Sequence, residues 1–172
     1  MFDGLTRYAP WARAALRIAT ALTFMQHGTQ KLFGLPAMRG FGGPGGGAGG
    51  APGGGAGGPP PGADGGGPGA DGGMGMMGLL MPVAAILETF GGLAILLGVL
   101  TRPIAFILAG ECAVIYWWMH VAMMGGGNLF PIANGGEAAV LYCFTFLYLV
   151  FAGPGAFSVD GALSGRRDPV AA

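Results

Sequence analysis

Four stretches of the chain are almost continuously apolar, and the segments between them are polar or rich in glycine. They cover about 11–33, 79–100, 103–124 and 137–153. A helix needs about 20 residues to cross the hydrocarbon core of a bilayer. The second and third stretches have that length. The first has it if its polar end reaches the interface, and the fourth is expected to extend towards Asn134 or Phe157. Stop signals separate them. Thr101, Arg102 and Pro103 predict a tight turn, since arginine resists burial and proline suits a first helical turn. The run Gly125 to Gly127 ends the third stretch. Asn134 to Glu137 starts the fourth with a capping residue and an acidic first turn, and Gly153-Pro154-Gly155 ends it. The pattern predicts an all-α fold, an integral membrane four-helix bundle forming one domain over 1–172.

Composition accounts for the rest. Of 38 glycines and 13 prolines, 22 and seven fall within 36–78. That segment has no periodicity and almost no large side chain, so it cannot bury enough apolar area to offset the entropy of ordering. It is expected to be a disordered glycine-rich loop, an inert spacer or a docking segment. Asp64 and Asp71 stand in matching G-A-D-G-G contexts there, which suggests local repeat expansion rather than a calcium site. Charged residues make up 9% of the chain against about 25% in soluble domains, which excludes an ordinary soluble domain, as 52% apolar content excludes disorder throughout.

Four spans place both termini on one side. Arg7, Arg13, Arg102, Arg166 and Arg167 then share that side, while Lys31 and Arg39 lie on the other. The positive-inside rule puts both termini in the cytoplasm and the glycine-rich loop outside. A cleavable leader is not expected, because Arg17, His27 and Lys31 interrupt or follow the first apolar run and no A-x-A site occurs. Cys112 and Cys143 fall at depths roughly 9 Å apart at 1.5 Å per residue, too far for a disulfide.

Charged groups at bilayer depth are costly and usually face a bundle interior. Arg17 lies one and a half turns into the first span, where it either snorkels or enters the bundle. Four positions separate His27 from Lys31, so they share a helix face near the outer end. Glu88 lies near the middle of span two, on a stripe with Ala84 and Gly92 that predicts close helix packing. It needs a cation or a proton, and Lys31, Arg17 or His120 could supply one. Glu111 has a similar depth in span three. Nine residues, half a turn in phase, separate it from His120, which predicts different neighbours for the two.

These residues belong to recognisable words: L-R-I at 16–18, H-G-T-Q-K-L-F-G at 27–34, E-T-F-G-G-L-A-I-L-L-G-V-L-T-R at 88–102, N-G-G-E at 134–137 and G-P-G-A-F-S-V-D at 153–160. In this order they make the chain similar to the DoxX family of small four-helix bacterial membrane proteins. The resemblance implies a multi-pass protein of the bacterial cytoplasmic (inner) membrane. It marks Arg17, His27, Lys31, Glu88, His120, Asn134 and Glu137 as ligand- or proton-handling candidates, with Glu111 a weaker one outside the words. Some relatives are subunits of thiosulfate:quinone oxidoreductase, which implies quinone as cofactor and a redox partner subunit. The segment 36–78 departs from the shorter segment usual in the family.

Two functions follow as expectations. One is a subunit of a membrane-associated, quinone-linked redox complex. The other is a non-catalytic membrane scaffold or a lipid- or small-molecule-binding protein. The sequence has no dinucleotide fingerprint, C-x-x-C or haem attachment motif, so a self-sufficient oxidoreductase of familiar type is not expected. Nor is a nucleic-acid partner, since the net charge is zero. Methionines crowd the outer side near His27 and His120. Thioether and imidazole ligands suit Cu(I), but a starting residue plus flexible membrane packing is the favoured reading of the methionines, and no metal site is assigned.

Overall fold

The computed structural model describes residues 3–35, 80–124 and 126–165, and among these the fold is all-α. The glycine-rich insert 36–78 lies outside the described residues, as do Arg39, Arg166 and Arg167. A 3₁₀ turn, Asp3–Tyr8, leads into helix α1, Ala9–Phe33, with Pro10 in its first turn. Helix α2 spans Leu80–Leu97 and α3 spans Thr101–Met123. A short helix α4, Pro131–Asn134, precedes α5, Glu137–Ala152, and α6, Val159–Ser164, follows.

Local chemistry sets the ends. α2 stops at Gly98, whose φ of 68° suits glycine. The Gly98 and Val99 N–H groups then bond back to Ile95 and Ala94 in a Schellman turn. The turn between α2 and α3 is thus Gly98 to Leu100. Thr101, Arg102 and Pro103, expected in that turn, instead form the first turn of α3, and Leu100 before them takes a left-handed φ of 45°. α5 does not reach Asn134 or Phe157. Asn134 ends α4, its side-chain oxygen accepts from Gly136 N–H, and Gly153 stops the helix at the other end.

Neighbouring helices run antiparallel. Gly28 of α1 meets Ala85 and Thr89 of α2, and Arg17, nearer the start of α1, meets Gly98 at the end of α2. Arg102, early in α3, reaches Val150 and Phe151 late in α5. The core gathers Ala21 and Phe24, Ile95, Leu108 and Cys112, and Phe146 and Leu149 from all four long helices. Both cysteines are free. The outer surface carries large apolar side chains, with Phe106, Phe144 and Phe151 each about two-thirds exposed or more (66%, 65% and 74%), whereas Arg17 and Glu88 are buried. Apolar groups outside and charges inside reverse the order expected in water. Among the described residues, α2 and α3 are long and apolar enough to cross a membrane.

Two stretches depart from α geometry. α2 contains a π-helical turn, Leu87–Gly91, and α3 is π-helical from Tyr116 onward. Such segments are rare and often occur at functional sites. The first carries Glu88 and the second carries His120.

Candidate functional site

The polar positions fall into three groups. The first lies at the end of the bundle holding the α2–α3 turn. Arg17 is fully buried and does not snorkel. Its Nη1 donates to the carbonyls of Ile95 (2.7 Å) and Leu96 (2.5 Å) in the last turn of α2. Its Nε donates to Pro154 O at 2.9 Å, and Nη2 donates to Phe157 O at 2.8 Å. The final carbonyls of a helix have no intrahelical partner. A forked cation placed there supplies a donor to Leu96 O, adds a second to Ile95 O, which also accepts from Gly98 N–H, and complements the helix dipole. Arg102 does the same for Val150 and Phe151 of α5, and Arg13 for Ala152.

Asp160 completes this end. Hydropathy and spacing give no sign of its role, although the residue closes the last of the recognisable words. Its two oxygens accept from the N–H groups of Leu100 and Thr101, each at 2.8 Å, and so cap α3 from outside. Burial pushes its carboxyl up, but hydrogen bonds from Thr101 and Leu100 and the Arg17 charge outweigh this and hold it below the usual carboxylate range.

The second group lies towards the other end. Lys31 Nζ donates to Glu88 Oε1 at 2.6 Å, joining α1 to the π turn of α2. Of the three cations considered for Glu88, Lys31 is the one in contact. The Glu88 side chain is 4% exposed and that of Lys31 29%, so the ammonium forms the outer side of the pair. Glu88 Oε2 is buried with no hydrogen-bond partner among the described residues. His27, one turn before Lys31, is within electrostatic reach of both charges, and its ring packs edge-on to Tyr142 at 5.9 Å. Glycine at 28 permits this approach. A Cβ there would stand 2.6 Å from Thr89 N and 2.8 Å from Ala85 O.

In the third group, His120 Nδ1 lies 3.1 Å from Asn134 O. A carbonyl can only accept, so Nδ1 carries the proton. Buried Asn134 donates to Asn128 O and accepts from Gly136 N–H, which organises the loop after α3. Glu137 is exposed in the first turn of α5 and does not join the Lys31–Glu88 pair.

Glu111 stands apart from these groups, although Glu88 and Lys31 lie within its electrostatic reach. It borders an apolar cleft of about 240 Å³ between α2 and α3. Both its carboxyl oxygens are buried and lack hydrogen-bond partners among the described residues. No three His, Cys, Asp or Glu side chains converge as a metal site among those residues.

Comparison with known proteins agrees with this architecture. The sequence model of the DoxX family matches residues 12–121. An uncharacterized protein of Haemophilus influenzae is 39% identical over 159 residues, which is 92% of this chain and 95% of the relative. Inner membrane protein YqjF of Escherichia coli is 35% identical over 91 residues, 53% of this chain and 67% of the relative. No solved structure matches the chain. With the family match covering more than half the sequence and the first relative aligned almost end to end, the chain belongs to the DoxX family of membrane proteins.

Proposed function

We propose that this protein is a subunit of a membrane-associated, quinone-linked redox complex. It crosses the bacterial inner membrane four times with both termini in the cytoplasm, and works with a redox partner subunit. The observation that supports this most is the Lys31–Glu88 pair, with one carboxylate oxygen left over. An ammonium donates and a carboxylate accepts, so the pair can serve both a quinone carbonyl and a quinol hydroxyl. Reduction of a quinone to a quinol takes up two electrons and two protons. The partner supplies the electrons, and Glu88 and His27 are the proton-handling groups of this site. The glycine-rich loop faces the outside.

The test is titration of the purified protein with a decyl-substituted benzoquinone, followed by reduction in the presence of the co-purified partner. Wild type is expected to bind and to support reduction. Glu88→Gln is expected to keep the fold and weaken both. Absence of binding together with absence of partner-dependent reduction sinks the proposal.

A second reading is a non-catalytic scaffold or lipid-binding protein. It is favoured by Arg17 and Asn134, whose polar atoms are engaged with backbone. Retention of the partner and the cellular phenotype after neutralising Lys31, Glu88 and His27 together would select it.

A further inference from the structure

Of the three arginines that bond to helix-end carbonyls, Arg13 and Arg17 are buried and Arg102 is exposed. Only Nη1 of Arg102 is engaged, donating to Val150 O at 2.7 Å and Phe151 O at 3.0 Å. Its Nε and Nη2 donate to no group among the described residues. Those two nitrogens form the side of a guanidinium that grips two oxygens of one phosphate. Glycine at 153 keeps that side clear. A Cβ there would stand 3.2 Å from Nη2 and 3.7 Å from Nε.

Charge favours an anion at this place. No Asp or Glu among the described residues pairs with Arg102. The C-terminus of α5 supplies only about half a negative charge, so bonding to its carbonyls leaves the guanidinium positive on balance. Arg102 also stands in the first turn of α3, the positive end of that helix, where a cation is unfavourable and a nearby anion relieves it. The surroundings select among anions. Phe106 lies one turn further along α3 on the same face, and Phe151 carries one of the bonded carbonyls. Both rings are largely exposed, on the apolar surface that meets lipid. Arg102 therefore stands where that surface gives way to the polar end of the bundle, as a headgroup phosphate stands at the end of its acyl chains.

We propose that Arg102 is a binding site for an anionic phospholipid, with Nε and Nη2 donating to two oxygens of its phosphodiester and the acyl chains lying over Phe106 and Phe151. A free anion would match the fork but not the two rings. A zwitterionic headgroup brings its own cation and restores the charge that the phosphate offsets, so a lipid of net negative charge is preferred. The inference goes beyond the redox proposal and does not rest on it, because Lys31 and Glu88 lie towards the opposite end of the bundle.

The full-length protein, delipidated in mild detergent, is titrated with dioleoylphosphatidylglycerol or dioleoylphosphatidylethanolamine and observed by native mass spectrometry. The glycerol lipid is expected to be retained several-fold more than the ethanolamine lipid. Glycerophosphoglycerol, the same headgroup without acyl chains, is expected not to displace it in large excess. A phosphatidylglycerol with a diazirine in one acyl chain is expected to crosslink to the peptides carrying Phe106 and Phe151. Equal retention of the two lipids, displacement by the bare headgroup or crosslinks confined to other peptides overturns the proposal. Arg102→Lys keeps the charge and loses the fork, and should lower phosphatidylglycerol retention several-fold. Unchanged retention in that variant, unfolding at the wild-type temperature, also overturns it. The wild-type measurements decide the matter if the variant does not fold.

Discussion

Arg17 and Asp160 show how single side chains hold one end of the bundle. In Arg17→Lys the charge survives but the fork is lost. One ammonium cannot reach Ile95, Leu96, Pro154 and Phe157 together, so some of these carbonyls lose the donor that Arg17 supplies. Hydrogen bonds to charged groups contribute about 1.5–3 kcal/mol each. The substitution should therefore cost about 3 kcal/mol, read as a lowered midpoint of thermal unfolding in detergent. A midpoint equal to wild type would show the clamp to be dispensable. Asp160 gives a pH dependence. Its carboxyl is held below the usual range in the folded protein. Its contribution is therefore full above the unfolded value of about 3.9 and is lost as pH falls through the lower folded value. Asp160→Asn should lower stability at neutral pH and flatten its fall on acidification. Parallel acid profiles for wild type and variant would contradict this.

At the scale of the helices, contact depends on small residues in particular registers. A Cβ at Gly28 meets backbone atoms of Thr89 and Ala85, which cannot rotate away, whereas one at Gly110 meets nothing within 4 Å. Gly28→Ala should separate α1 from α2 and cost about 1–3 kcal/mol, while Gly110→Ala leaves stability unchanged or raised. Unfolding of the two variants in one detergent checks the pair, and equal midpoints would mean that α1 and α2 adapt. Helix existence was legible because apolar length and glycine stops are local signals, as at Ala152–Gly153, whereas the stop at Gly98 was missed because the apolar run continues to Leu100. The Lys31–Glu88 contact was legible as one of three options, since a mid-span carboxyl needs a cation. The π turns were not legible. A one-residue expansion at Leu87–Gly91 is set by tertiary packing and re-phases the face that follows. Gly91 faces Leu108 of α3 while Gly92 faces Met25 of α1. The roles of Arg13 and Arg102 were hidden for a related reason. Each answers carbonyls at the end of α5, which is distant in sequence.

Over the whole molecule the two ends differ in kind. Arg7, Arg13, Arg17 and Arg102 gather with the α2–α3 turn and α6, whereas the loop 126–136 at the opposite end has no basic residue. Three of those arginines bond to helix-end carbonyls, so their placement has a structural cause. They also form the cationic side that the positive-inside rule assigns to the cytoplasm. In the proposed orientation the two causes act together: arginines that satisfy carbonyls at that end would also bias which way the protein inserts. This orientation can be measured with a single cysteine in a Cys112→Ala, Cys143→Ala background. Ile132 in α4 and Leu163 in α6 are 80% and 82% exposed and lie at opposite ends of the bundle. With a membrane-impermeant maleimide, Ile132→Cys should label in intact spheroplasts and Leu163→Cys only after lysis. The reverse pattern would invert the protein in the membrane, and labelling of both in intact spheroplasts would break the four-span count. The expected pattern puts the Arg17 clamp at the cytoplasmic face and the Lys31–Glu88 pair towards the outer one, so a proton reaching Glu88 by the shorter path would come from outside the cell.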